Sequence, residues 1–498
     1  MSGGVSPWPA VHHRQVVIGP EPFAARPDWL TERLDSATFV SHCPALRNGT
    51  ATDSDGGKWM LLGLAVQTLW EAPGPLGAIA SAGTSKVPDV HGSWAGRWLL
   101  VGDGAIHLDA AGLLGCIYGT DARGRTWASS SPALLAEIVA PSEATVTSID
   151  LPEAPRISWY PPPRTRFDGV RRLHPSQVLS LSDGTTSPRP LLPAIKPDRE
   201  YDETLELLGG ALVEGMRRLP ATPRPVALAL TAGLDSRTVL AAAERAGIDY
   251  QPFVHISAWT TPADRLLSAQ LSEAVGRKID VHRRSRLRTR RTRRERIPAV
   301  LEHTAGHVPE NDCQVVLRGV RDSIAGISAG GWAFEVGHAS HWEGLPLTFT
   351  EPSEGAEICA RSCSEPAGSP AIDGLREWLE WAVRTPQDHL DLRDRFYLEQ
   401  RMAGRKSSRE QLHDMVALER YPVINCARTY ALMVGIDRPR RAVKQHQQDL
   451  IERLCPQLAG FPANPPVEEL PLGRVVATTL RDDPVGLARE GWKRVRRR

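Results

Sequence analysis

Residues 226–237 read Val-Ala-Leu-Ala-Leu-Thr-Ala-Gly-Leu-Asp-Ser-Arg. The apolar run from Val226 to Leu230 has the length and composition of a buried parallel strand, which needs no polar alternation because both its faces are covered. It stops in a small-residue turn, Thr231-Ala232-Gly233. Asp235-Ser236 then opens Thr238-Val-Leu-Ala-Ala-Ala-Glu-Arg-Ala246, a run of good helix formers. Small residues let backbone N–H groups approach an anion closely, and the helix that follows adds its positive dipole end at the same point. The stretch predicts a site for a phosphate-bearing ligand. It is not a Walker P-loop, because no Gly-Lys-Ser/Thr follows the turn. A strand–turn–helix crossover with small residues chosen for packing is the alternative reading.

The rest of the chain places this loop in a second half of different texture. Residues 1–195 are rich in Gly, Trp and Pro, with short apolar runs such as Trp98–Val101 and Gln177–Leu181 and turn signals such as Ser182-Asp-Gly-Thr between them. That pattern predicts a β-rich layered domain. Pro188 to Pro197 is the linker candidate. From Tyr201 onward the periodicity predicts helices over Glu203–Arg218, Ser236–Ala246, Ala263–Gly276 and Gln400–Leu418, with strands at Val226–Leu230 and Pro252–Ser257. Strands alternating with helices predict a doubly wound parallel sheet over residues 196–498, with ligand at the carboxyl ends of its strands. A chain of 498 residues suits two or three domains. A net charge of +2 gives no global argument for nucleic acid, and no apolar run reaches the length of a membrane span. The first residues lack the basic and apolar regions of a signal peptide, and the seven scattered cysteines suit reduced thiols in a cytoplasmic protein.

The loop Thr231-Ala232-Gly233-Leu234-Asp235-Ser236 resembles the pyrophosphate loop, Ser-Gly-Gly-x-Asp-Ser, of ATP pyrophosphatases that make adenylates. Thr replaces the first Ser with the hydroxyl kept, and Ala replaces one Gly. Further segments in order strengthen the likeness. Gly96-Arg-Trp-Leu-Leu-Val and His107-Leu-Asp-Ala-Ala-Gly-Leu-Leu-Gly-Cys-Ile-Tyr118 resemble part of a class II glutamine amidotransferase domain. Trp159 to Pro175, with Phe167-Asp-Gly-Val-Arg-Arg-Leu-His-Pro, resembles the connector that follows such a domain. Thr261-Pro-Ala-Asp264 opens a helix where the family keeps an acidic residue. Ile327-Ser-Ala-Gly-Gly-Trp-Ala-Phe-Glu335 resembles the Ser-Gly-x-Gly-x-Asp-Glu turn of asparagine synthetases. The ordered set is similar to asparagine synthetase-like proteins along the whole chain.

One departure bears on the reaction. A glutamine-hydrolysing domain needs Cys at position 2, where this chain has Ser2, and no Cys occurs before Cys43. The resemblance then narrows to members that adenylate a carboxylate and let an amine of the same molecule attack it, most closely the lasso peptide cyclases. It implies a degenerate glutaminase-like (Ntn-type) domain over 1–195 and an ATP pyrophosphatase domain over 196–498. The activity implied is macrolactam formation in a leader-cleaved precursor peptide, with ATP and Mg2+ consumed to give AMP and pyrophosphate. A precursor-recognition protein and a leader protease are the implied partners. The alternative is a small-molecule amide ligase of the asparagine or β-lactam synthetase type.

By the same resemblance, Thr231, Ala232, Gly233, Leu234, Asp235 and Ser236 would cradle pyrophosphate, with Gly330 and Gly331 beside them. Leu230 and the end of the second strand, His255 and Ile256, would flank adenine. Asp235 would hold magnesium. In strict register the second acidic ligand falls at Ala333, and Glu335 is the nearest carboxylate. Lys444, on a predicted helix, would stabilise charge in amide formation.

Two other patterns compete for attention. Glu335, His338 and His341 sit at helical spacing, but i, i+3, i+6 positions rotate around a helix and do not make a zinc triad. Arg283 to Arg296 holds nine arginines in fourteen residues. Contact with an acidic peptide or partner and a solvated face are level readings of that block. RNA falls behind both, since no aromatics interleave it. A non-catalytic binding module remains open on the two alanine departures, Ala232 and Ala333.

Overall fold

The computed structural model describes residues 11–140, 146–256, 260–283, 289–317, 326–339 and 348–471, with Gly473 and Ala477. Ser2, His341 and the basic tail after Trp492 lie outside these residues. Twelve described strands precede residue 190: β1 (Val16–Gly19), β2 (Leu30–Arg33), β3 (Phe39–His42), β4 (Asn48–Thr52), β5 (Lys58–Gln67), β6 (Trp94–Gly102), β7 (Ala105–Leu108), β8 (Ile117–Thr120), β9 (Thr126–Ser129), β10 (Arg171–Arg172), β11 (Gln177–Ser180) and β12 (Thr186–Pro188). They form two antiparallel six-stranded sheets, in the orders β10-β8-β9-β1-β3-β2 and β12-β11-β7-β6-β5-β4.

Strand alternation explains how the sheets stack. On β5, Met60 and Leu62 turn inward with Leu99 and Val101 of β6 against Val16, Ile18 and Val40 of the other sheet. Trp59 and Leu61 point the other way, where Trp98 and Leu100 join them under α1 (Pro75–Ser81) and α2 (Val87–Val90). The far face of the first sheet, Val17, Ile117 and Trp127, is covered by Leu134 and Leu135 of α3 (Pro132–Val139).

The second half is a parallel sheet covered on both faces. Helix α4 (Tyr201–Arg217) leads into β13 (Val226–Ala229), α5 (Leu234–Ala246), β14 (Tyr250–Ile256), α6 (Pro262–Ala274) and β15 (Asp280–Arg283). Helices α7 (Thr289–Thr304) and α8 (Glu310–Leu317) precede β16 (Gly326–Gly330). The chain then runs through α9 (Pro352–Ser362), α10 (Ala371–Arg384), α11 (Leu392–Phe396), a π-helical stretch Tyr397–Lys406 and α12 (Ser407–Asp414) to β17 (Leu418–Pro422). It closes with α13 (Ala427–Val434), α14 (Arg438–Ala442) and α15 (Gln445–Leu454). The sheet order is β15-β14-β13-β16-β17 and every pair is parallel. The order reverses between β13 and β16, and a ligand crevice opens outside strand ends at such a point. Residues of β13 alternate between two cores: Val226 and Leu228 pack with α4 and α5, and Ala227 packs with α7 and α8. That double burial is why the strand reads as an unbroken apolar run.

The helix predicted over Gln400–Leu418 is corrected here. It ends at Asp414, and Leu418 begins β17, where it pairs with Gly326. Asp414 is held by the buried Arg97 of β6 through bonds of 2.9 and 3.0 Å, and Arg14 donates to the carbonyls of Val416, Ala417 and Leu418. These contacts from the first half turn residues 414–418 out of the helix, a tertiary override of local propensity. Asp109, in the segment resembling an amidotransferase, is fully buried; it accepts from the N–H groups of Leu113 (2.9 Å) and Leu114 (3.0 Å) and from Asn425 (2.8 Å). Leu191, Leu192 and Ile195 of the proline-rich linker are buried in the same core as α4, so this segment packs as a strap.

Burial also holds many histidines neutral. Desolvation lowers His12, His107 and His446 to about 3, and His174 and His303 to about 4. Each regains an ordinary value of about 6.5 on unfolding, so the unfolded chain binds more protons below that pH. Their stabilisation is complete above about pH 6.5 and is lost as pH falls toward 4, by about 1.4 kcal/mol per histidine per pH unit. Urea midpoints measured at pH 7.5 and pH 5.0 should drop steeply toward acid; equal midpoints would contradict the burial.

Candidate functional site

The site is built where β13 and β16 end. Beyond β13, Leu230 is buried and the turn Thr231–Gly233 passes into α5, whose N-cap is Gly233. Three turn N–H groups are already engaged. Thr231 N donates to Ser236 Oγ (3.1 Å), Ala232 N to Asp264 Oδ1 (2.8 Å) and Gly233 N to Thr231 Oγ1 (3.2 Å). The hydroxyls of Thr231 and Ser236 lie 3.0 Å apart and close the loop on itself. In this arrangement the first three amides brace the turn. The N–H groups of Leu234, Asp235 and Ser236, in the first turn of α5, have no partner among the described residues, as helix geometry requires. Asp264 has a double duty, since its carboxylate also completes a capping box with Thr261 at the start of α6.

The end of β16 meets α5 at very short range. A Cβ on Gly331 would stand 2.5 Å from the carbonyl oxygen of Asp235, so only glycine permits the approach. Gly330 plays a different part: a Cβ there would run into the ring of Trp332, itself stacked under Arg420 at 3.9 Å. Ala333, at the register position of the missing acid, is fully buried, and Glu335 lies in a short 3-10 turn, Phe334–Gly337.

Around Asp235 and Glu335 the fold gathers side chains from α15, the π-helical stretch and the residue that follows the 3-10 turn. Gln447 of α15, fully buried, donates through Nε2 to Asp235 Oδ1 (2.9 Å), and its Oε1 lies 2.9 Å from His338 Nε2. His338 Nε2 is 3.6 Å from Asp235 Oδ1. Lys406 Nζ donates to Glu335 Oε1 (3.2 Å), and the other oxygen of Glu335 is buried without a hydrogen-bond partner among the described residues. Burial, then the negative charge of Glu335 and Asp235, raises the Tyr397 phenol well above its usual range, so the hydroxyl stays protonated. Burial lowers His338, with Asp235 pulling the other way and Lys444 adding to the lowering.

Lys444 is not inside a helix, as predicted, but between α14 and α15 with a left-handed backbone (φ 58°). The lysine that touches Glu335 is Lys406, from the π-helical stretch. Leu230 and Ile256, the adenine-flanking candidates, are both buried at the ends of neighbouring strands, and His255 stands in ring contact with Phe253 and His282. Sequence reading missed Tyr397, Lys406 and Gln447, which carry no local signature. His338, weighed there only as a zinc ligand, belongs to the Asp235 cluster, and among the described residues no three His, Cys, Asp or Glu side chains converge to hold a metal. Of the arginine block, Arg296 is buried and donates to Val316 O (2.7 Å), so its end is an internal strut of α7, while residues 284–288 lie outside the described ones.

No family model matches the chain, and no curated protein matches it. Among solved structures it is similar to one described as the allosteric regulatory enzyme of purine biosynthesis, at 12% identity, covering 59% of this chain and 74% of that one with a TM-score of 0.23. A likeness at that level carries no argument about activity. No described helix is long and apolar enough to cross a membrane.

Two substitutions test the geometry. Gly331→Ala should push β16 away from Asp235 and cost about 1–3 kcal/mol in urea unfolding, the range of an overpacked contact. Gln447→Leu leaves Asp235 and His338 without their bridge and should cost about 1–3 kcal/mol, the penalty of stranded polar groups. Unchanged stability in both would refute the contacts described.

Proposed function

We propose that this protein is an ATP- and magnesium-dependent ligase that activates a carboxylate as its adenylate and joins it to an amine. The observation that carries the reading is the convergence, at the switch point of a doubly wound sheet, of free helix N-terminal amides with the carboxylates of Asp235 and Glu335. A carboxylate is a poor electrophile at neutral pH. Attack of its oxygen on the α-phosphate of ATP forms the acyl-adenylate and breaks the bond to pyrophosphate. The amine then displaces AMP.

The residues present suit magnesium. Asp235 and Glu335 are hard oxygen donors, and Glu335 Oε2 is buried and meets no hydrogen-bond criterion among the described residues. Held by these residues, the ion would neutralise phosphate charge. The chain's own groups supply the rest. The N–H groups of Leu234 to Ser236 face the departing pyrophosphate with the dipole of α5 behind them. Gln447 fixes one oxygen of Asp235, leaving the other to a ligand. Lys406 brings a cation to the same cluster, and the protonated Tyr397 hydroxyl can donate a hydrogen bond to Glu335 and hold that carboxylate in place.

The cysteines bear on the source of the amine. All seven are free and buried, and burial pushes the thiols of Cys116 and Cys359 up to about 12. Buried thiols of this kind make poor nucleophiles, which supports an amine carried by the substrate itself. With the resemblance to lasso peptide cyclases, this favours macrolactam closure. A side-chain carboxylate of a leader-cleaved peptide would be adenylated and met by that peptide's N-terminal amine, with a precursor-binding protein and a leader protease acting upstream. The first half would then be a glutaminase-derived scaffold.

Pyrophosphate release, followed with ATP, magnesium and a leader-cleaved core peptide, should depend on the peptide and yield a product lighter by one water. Asp235→Asn should slow it on the order of a hundred- to a thousandfold, as losing a charge-stabilising group does, and chelation of magnesium should stop it. Turnover on free aspartate and ammonia without peptide would overturn the cyclase reading in favour of a small-molecule ligase.

A further inference from the structure

The segment after α15 is bolted to the phosphate loop. Arg237 of α5, a buried side chain, donates through Nη1 to Phe461 O (2.5 Å) and through Nη2 to Pro462 O (2.8 Å) and Ala232 O (3.3 Å). Asn464 N donates to the same Ala232 carbonyl (3.1 Å). Phe461 and Leu470 pack with Ala232, Ala263, Leu266 and Leu267, which anchors the segment on both sides of the contact. Asn464 itself has a left-handed backbone, φ 46°. Its side-chain amide is exposed and makes no hydrogen bond among the described residues. It lies beside the N-cap of α5: a Cβ on Gly233 would stand 3.6 Å from both its Nδ2 and its Oδ1.

We infer that Asn464 is a ligand-contacting residue of the phosphate site, its amide donating to the pyrophosphate moiety held at the start of α5. The inference rests on the proposed ATP chemistry and names a specificity element within it. Three features support it. The backbone of Asn464 is fixed by the loop's own carbonyl, so the side chain is positioned by the same turn that positions the ligand. The left-handed conformation, tolerated by Asn better than by most residues, holds an amide where other side chains would be strained. The first three amides of the turn are spent on bracing it, so a further donor from outside the loop fills a gap that the loop leaves.

The conformation also supplies a clean variant. Glycine accepts φ 46° without strain, so Asn464→Gly removes the amide and keeps the turn. Isothermal titration would compare magnesium pyrophosphate with AMP on the full-length wild type, Asn464→Gly and Asn464→Asp. Asn464→Gly should weaken pyrophosphate binding about tenfold, as loss of a hydrogen bond to a charged group does, and leave AMP binding unchanged. Asn464→Asp, of the same shape but like charge, should weaken pyrophosphate further. An equal loss for both ligands would show that Asn464 only holds the loop, and no loss for either ligand would show that it makes no contact; either overturns the inference. If the wild type binds neither pyrophosphate nor ATP, the proposed function itself falls, and this inference with it.

Discussion

The approach of Gly331 to Asp235 is the constraint on which the site depends. Strands β13 and β16 are neighbours in a parallel sheet, but their following segments diverge, one into α5 and the other into the 3-10 turn. Carboxylates on those segments can act together only if the segments are pressed close as they leave the sheet. The absence of a side chain at Gly331, where a Cβ would fall 2.5 Å from the Asp235 carbonyl, permits that. Asp235 and Glu335 thereby reach the same cluster of groups, seen in their joint influence on Tyr397 and His338.

The surrounding groups come from segments that have no reason to meet except through the tertiary fold. Gln447 arrives on α15, Lys406 and Tyr397 on the π-helical stretch, and Asp264 braces the loop from α6. The junction between the halves fixes much of this. The Arg97–Asp414 pair is buried and bidentate, the kind of contact that specifies one arrangement more than it stabilises. It pins the end of α12 and so the path from Lys406 to β17. Asp109 and Asn425 repeat the device on the far side of β17. The first half thus serves as a buttress for the carboxylate cluster.

The run Val226–Leu230 and the helix after it were legible because their cause is local: double burial demands apolar continuity, and a helix needs its formers. Observed boundaries, Val226–Ala229 and Leu234–Ala246, fall within a residue or two of the expected ones. Strands β15 and β17 were not read, because Asp-Val-His-Arg and Leu-Glu-Arg-Tyr-Pro carry no strong strand pattern and owe their pairing to neighbours. The placing of Lys444 on a helix erred for a similar reason, since a left-handed residue between two helices leaves no mark in helix-forming sequence.

The sequence by itself determined that a strand ends in a small-residue loop at a helix N-terminus, with Asp235 in the first turn, because those choices answer to backbone sterics and dipoles within a dozen residues. Only the tertiary structure decided which of the loop's amides are engaged and which are left without a partner among the described residues. Ser236, Thr231 and Asp264 had to fold onto the turn before three of its donors were consumed. It also decided which groups face the carboxylates, because Tyr397, Lys406 and Gln447 lie 162 to 212 positions along the chain from Asp235. At that separation proximity is set by how the helices pack on the sheet, and no local pattern records it.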